Sequence, residues 1–189
     1  MSGTQDALYG IELAAARLWH DVRPLLDALD ASREGAALVA RLTLRHTAWT
    51  PATRPLRLAE LSALSRGLPD GVGIDTGPLD PHAVFAPAAG RIVLNLLLLA
   101  ADSLPSGGIV LLAGSADDLF LRIAGPAASW PAGLALCLAD EEAARSALTE
   151  PAVMQMALTA LLAHGAGCRL SVLMSPRPAA EPPMLRLGG

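Results

Sequence analysis

Apolar residues recur at three- and four-residue steps from residue 5 to residue 31: Leu8, Ile11, Ala15, Leu18, Val22, Leu25, Leu26 and Leu29. That is the period of one face of a helix. A break at Asp30, Ala31 and Ser32 predicts a short turn, with the Ser32 hydroxyl as N-cap of the next helix. The second helix is expected over 33–49, with Ala37, Leu38, Leu42 and Leu44 on its apolar side. So short a turn makes the two helices antiparallel neighbours. A hairpin of two helices buries little by itself, so the pattern predicts pairing with a second copy into a four-helix bundle.

The run "TPATRP", residues 50–55, carries two prolines and ends the second helix. It divides the chain into a helical hairpin, 1–52, and a second domain, 53–189. In the second domain the periods change. Residues 58–67 read as helix and "GVGIDTG", residues 71–77, as a short strand. Residues 82–104 contain a helix apolar nearly all round from Ile92 to Ala101, which predicts burial under a sheet. Two runs rich in β-formers, 109–113 and 119–124, flank "GSADD" as a hairpin. Helices are expected at 140–148 and 152–164, the latter stopped by Gly165 as a left-handed cap. A strand follows at 169–174, and 184–187 reads as a final edge strand. The order predicts an α+β sandwich with helices on one face of the sheet.

Composition narrows the function classes. The chain has 189 residues, 52% hydrophobic and 17% charged, which excludes disorder and gives enough chain for a real core. With so few aromatics, that core is built from Leu, Ala, Val and Ile. The net charge of −4 comes with no basic stripe, so no nucleic-acid partner is expected. Cys137 and Cys168 have neither metal nor redox spacing and read as free, buried thiols. The N-terminus lacks a signal-peptide pattern, and the run 92–101 is too short to span a bilayer. A cytoplasmic protein without a membrane partner is the expectation. No G-x-S-x-G, HExxH, paired-cysteine or Walker pattern occurs, so neither metal nor cofactor is expected.

The candidate chemistry sits in "LWHDVRP", residues 18–24. At about 100° per residue, Ile11, Leu18, Val22, Leu25 and Leu29 lie roughly 140–180° from His20. His20 therefore points away from the main apolar stripe, on the side shared by Leu13, Ala16, Arg17 and Pro24. An imidazole titrates near neutrality, so it serves both as nucleophile and as leaving group for a phosphoryl group. Asp21 is expected to fix a ring tautomer or balance charge. Arg17, one turn earlier, is placed to steady phosphoryl oxygens. Pro24 lacks the N–H that would bond the carbonyl of His20, freeing that carbonyl and shaping the turn. Arg41 and Arg45 on the return helix are further candidates for phosphoryl or docking contacts.

Three segments resemble histidine kinases in order. "RIVLNLLLLAADSLPSGG", residues 91–108, is similar to the N-box helix of their ATPase domains. "AVMQMALTALLAHGAGCRLSV", residues 152–172, is similar to the last glycine-box helix and the strand after it. "ARLWHDVRPLL", residues 16–26, resembles the phosphoacceptor helix. Together they resemble the ChpT-type bacterial histidine phosphotransferases, whose ATPase domain is degenerate. The resemblance implies a cytosolic homodimer that passes a phosphoryl group between the receiver domain of a hybrid histidine kinase and response regulators of cell-cycle control. His20 would be the acceptor, and the receiver would supply Mg²⁺.

The departures from a working kinase point the same way. Leu99 stands where the Mg²⁺-binding asparagine would be, four residues after Asn95, and a leucine offers no oxygen to a hard cation. "IAGPAAS", residues 123–129, has no adenine-binding acid, and "EPAVMQM", residues 150–156, has no phosphate-cradling glycine. ATP binding is therefore not expected, and the chain reads as a phosphotransfer intermediate rather than an ATPase or autokinase. Pro24 falls four residues after His20, where the family places proline five after, and the hairpin is shorter than in the family. The shortened hairpin motivates an alternative: a non-catalytic scaffold of the same fold that binds receivers or a kinase.

Overall fold

The computed structural model describes residues 2–29, 33–173 and 182–188; at residues 2–4, 6, 7, 21, 24–29, 33 and 34 it describes the backbone alone. Helix α1 spans Ser2–Leu29 and α2 spans Arg33–Trp49, the pair expected from the helical period. The expected cap Ser32 lies outside the described residues. Next comes a two-residue strand β1 (Leu56–Arg57), then α3 (Leu58–Leu64) and a single 3-10 turn, Ser65–Gly67. Glu60 accepts a hydrogen bond from the backbone N–H of Arg57 at 3.1 Å, closing the first turn of α3. At Gly67 a Cβ would lie 2.3 Å from the carbonyl oxygen of Ala40. Only glycine lets this turn lie directly on α2.

The remaining elements are β2 (Val72–Asp75), β3 (Val84–Phe85), α4 (Pro87–Asp102), β4 (Gly108–Gly114), β5 (Asp118–Ala124), α5 (Leu134–Ala139), α6 (Glu141–Ala147), α7 (Met154–Ala166), β6 (Arg169–Leu173) and β7 (Met184–Gly188). β1 and β3 pair antiparallel as a small separate ribbon. The other five strands form one sheet in the order β2-β4-β5-β7-β6, with β2 parallel to β4 and the other pairs antiparallel. Alternate residues of the sheet are buried: Val110 and Leu112, then Leu119, Leu121 and Ile123, then Leu185 and Leu187. Their neighbours Ile109 and Arg186 are exposed, so the helices cover one face, as the α+β pattern predicts.

Helix α4 is buried without interruption from Ile92 to Ala101. One face meets the sheet; α7 and the C-terminal half of α2 cover the rest, which is why its sequence is apolar all round. Leu44 and Ala48 of α2 have no exposed surface and join the same core as Leu96, Leu97 and Leu161.

Two expectations need correction, and some elements are additional to the expected ones. β7 is not an edge strand: it is bonded on both sides, Leu185 facing Leu121 on β5 and Val172 on β6. Its place as the last strand in the chain does not make it the last in the sheet, because strand order is set by long-range pairing. Helix α7 continues past Gly165 to Ala166 and is capped by Gly167, at φ 65°. Gly165 is an ordinary helical residue facing α1, where a Cβ would meet Leu8 Cδ1 at a normal contact distance of 3.5 Å. Finally, α5 and the β1–β3 ribbon were not anticipated; elements of six and two residues are too short to show a period.

Candidate functional site

Helix α1 has two unlike faces. Leu8 and Ile11 pack against the main core, and Glu12 forms an ion pair with Arg91 of α4 at 2.6 Å. Arg91 also donates to the carbonyl oxygens of Ala48, at 3.3 Å, and of Trp49. Its side chain is only 10% exposed. One guanidinium thus holds the middle of α1 and caps the C-terminal carbonyls of α2, where a cation also meets the negative end of the helix dipole.

The opposite face of α1 carries His20, which is exposed along with Tyr9, Leu13, Ala16 and Arg17. The helix period expected this orientation, and the packing of the other face explains it. Beside His20, the Trp19 ring stacks on His46 of α2, with centroids 4.4 Å apart and planes within 6°. The Arg23 guanidinium lies over the same indole at 5.5 Å. Burial pushes the His46 imidazole below its ordinary range, and its Nδ1 has no hydrogen-bond partner among the described residues. Helix α1 continues through Pro24 to Leu29, while the side chains of Asp21 and Pro24 lie outside the described residues.

The two arginines of the return helix are turned to other partners. Arg41 pairs with Asp70 at 2.9 Å, in the loop after the 3-10 turn. Arg45 lines a small cleft with Trp49, Asp102 and Gln155. Burial raises the Asp102 carboxyl above the usual carboxylate range, and the Arg45 charge opposes that rise. Arg17 is the candidate arginine that shares the His20 face of α1.

Asn95, which in sequence resembles an N-box asparagine, makes its bonds within the protein. Asn95 is fully buried and donates to the carbonyl oxygens of Ala48, at 2.7 Å, and Arg91, at 2.9 Å. Its Oδ1 accepts from Gln155 Nε2 at 3.0 Å, and Gln155 Oε1 accepts from the Trp49 indole at 3.3 Å. The asparagine amide is therefore satisfied within the protein and ties α4 to α2 and α7. Leu99, one turn on, is 1% exposed within the core. The sequence reading identified Asn95 and Leu99 but missed Arg91, Gln155 and Trp49. An arginine four residues before a buried asparagine was the available signal, though without the fold nothing marks its partners.

Among the described residues no three His, Cys, Asp or Glu side chains are grouped to hold a metal ion, and no helix is long and apolar enough to cross a membrane. Burial raises both thiols, Cys137 and Cys168, away from the reactive thiolate form.

A family profile described as the histidine phosphotransferase C-terminal domain matches residues 60–177. Among solved structures, one described as "1.7 Angstrom Structure of a Bacterial Phosphotransferase" is similar over 96% of this chain and 88% of its own, with 18% identity and a TM-score of 0.56. At that identity the likeness speaks for the fold. No curated protein matches the chain.

Proposed function

The chain belongs to the histidine phosphotransferase family, and on that premise we propose that it relays a phosphoryl group through His20, between the receiver domain of a hybrid histidine kinase and response regulators. The observation that carries the assignment to His20 is its exposure on the outward face of α1, with Arg17 one turn before it. The family implies receiver domains and response regulators as partners. The finer assignment, to ChpT-type proteins, rests on the order of the phosphoacceptor, N-box and glycine-box segments in the sequence.

The chemistry asks little of this chain beyond position. A nitrogen of the neutral His20 ring attacks the phosphorus of an acyl phosphate on the receiver. The P–N bond forms as the P–O bond breaks, and the receiver carboxylate leaves with the electron pair. The ring proton is then lost to solvent. In the second half-reaction a regulator carboxylate attacks the phosphorus, and the ring departs as it regains a proton. Arg17 is the group on this face that would balance charge on the phosphoryl oxygens. Asp21 would hold the ring tautomer, and Pro24 would set the turn. The receiver brings the acceptor aspartate and Mg²⁺.

ATP has no part in this reading. The amide of Asn95 is engaged by Ala48, Arg91 and Gln155, Leu99 is packed in the core, and the acid and glycines of a nucleotide site are missing from the sequence. A homodimer through the helical pair is part of the proposal. Leu18, on the heptad-spaced stripe of α1, is 58% exposed, and Leu38 of α2 is 42% exposed. Apolar side chains left open at such spacing suit a bundle with a second copy.

The test is transfer from phosphorylated receivers to wild type and to His20→Ala. Acid-labile, base-stable label on wild type and none on the variant is expected. Binding of receivers with no label on wild type would favour the scaffold alternative instead.

A further inference from the structure

Resting on the phosphotransfer reading, we propose that Trp19 and His46 are a positioning pair: their stack fixes the rotation of α1 about its own axis and so sets the direction in which His20 meets a phosphoryl donor. The two rings are parallel within 6° and 4.4 Å apart. Trp19 is the residue before His20, and adjacent side chains leave one helix about 100° apart. Holding the indole therefore holds the imidazole beside it. With side chains a helix has a radius of about 5–6 Å, so a turn of about 20° would move the His20 ring by about 2 Å. A misplacement of about 1 Å costs about a hundredfold in a transfer that needs its reacting atoms aligned.

The way α1 is mounted creates the need for such a hold. Its contacts with the core lie early in the helix: Leu8 and Ile11 against the apolar cluster and Glu12 on Arg91. From Glu12 to His20 is about 12 Å along the axis at 1.5 Å per residue. Over that length Leu13, Ala14, Ala16, Arg17 and Leu18 are exposed, and Ala15 and Trp19 are the side chains turned inward. Alanine is too small to resist rotation, so the indole is the lever at the level of His20. Its partner sits on a firmly seated helix. His46 lies between Leu44 and Ala48, neither of which has any exposed surface. Earlier on the same helix, a Cβ at Gly67 would lie 2.3 Å from the carbonyl oxygen of Ala40, so α2 and the 3-10 turn are in close contact. Turning α1 would lift a flat ring off a flat ring, which an aliphatic contact would oppose less. The Nδ1 of His46 has no hydrogen-bond partner among the described residues, so no bond at that atom competes with the stack for the orientation of the ring. The Arg23 guanidinium, one turn after Trp19, lies 5.5 Å from the centroid of the same indole and steadies it from within α1.

His46→Leu and His46→Phe test the pair, because both fill the space of the imidazole and only Phe offers a flat ring to Trp19. Trp19→Leu and Trp19→Phe repeat the comparison from the other side of the stack, should a variant at His46 fail to fold. Transfer from a phosphorylated receiver is followed over a range of receiver concentrations. Labelling of His20 by the small donor phosphoramidate, which loses ammonia as the ring nitrogen takes the phosphoryl group, is measured beside it. The proposal expects the leucine variants to lower the saturating transfer rate by about tenfold to a hundredfold. The half-saturating receiver concentration and labelling by phosphoramidate should match wild type, and the phenylalanine variants should restore the rate. A merely structural role would not give this split, since both donors would then suffer alike. An undiminished rate in the leucine variants would overturn the proposal. Equal loss in His46→Leu and His46→Phe would do so too, by making the imidazole itself the needed group. A change confined to the half-saturating concentration would place the pair in receiver binding, and slower labelling by phosphoramidate would place the defect in the reactivity of His20; either overturns the positioning role while leaving the relay intact. Failure of both donors to label His20 in wild type would overturn the phosphotransfer reading itself, and the positioning role with it.

Discussion

His20 and His46 stand close together in the hairpin and in different surroundings. His20 is in solvent, whereas His46 is stacked on Trp19 and partly desolvated. Burial holds the His46 imidazole below its unfolded value of about 6.5. A depressed histidine contributes stability that is fully present above the unfolded value and is lost as pH falls through the folded one. Melting temperature should therefore drop between pH 7.5 and pH 5 more steeply in wild type than in His46→Phe, which keeps a ring on Trp19 but cannot take a proton. Equal slopes in the two proteins would mean that His46 protonation has no part in acid stability. The orientation of His20 was legible in the sequence because one period governs both the apolar stripe and its opposite. The stack on His46 was not, since it depends on how two helices are set in register, and α1 and α2 fix that only once packed.

At the scale of elements, Arg91 joins three helices. It neutralises Glu12 of α1, bonds the last carbonyls of α2 and stands at the start of the buried run of α4. Removing one partner of such a buried pair strands the other, at a cost of about 3 kcal/mol. Arg91→Ala should lose roughly that much in chemical denaturation, and Arg91→Ala with Glu12→Gln should lose less than the sum of the two single changes. Additive losses would show that the two side chains do not act together. Asn95 works similarly between α4, α2 and α7. The buried character of α4 was readable from its sequence, because a helix apolar on every side has no solvent face. The centre position of β7 was not, because strand order is set by long-range pairing and a five-residue strand carries no mark of its neighbours.

At the scale of the whole molecule, the phosphotransfer reading makes the hairpin the reactive part and the α/β part its mount. A fold whose buried Asn95, the residue that resembles an N-box asparagine in sequence, is engaged in internal bonds should not take up nucleotide. Mg·ATP at millimolar concentration should leave the melting temperature unchanged, whereas a ligand bound only by the folded chain would raise it. A clear rise would contradict that part of the account. Light scattering should give a dimer at micromolar concentration, reduced to monomer by Leu18→Glu; a wild-type monomer would contradict the bundle. The resemblance in sequence order reached the family, and the matched profile covers residues 60–177, the part that does not contain His20. The assignment of the acceptor therefore rests on α1 alone, and it is the point to test first. The chain has four histidines, His20, His46, His82 and His164. The most direct measurement is to phosphorylate the wild-type protein with a receiver, digest it under alkaline conditions that preserve phosphohistidine, and locate the phosphoryl group by tandem mass spectrometry. The account predicts phosphate on His20 and on no other histidine. Phosphate on His46, His82 or His164, or on none of the four, would contradict it.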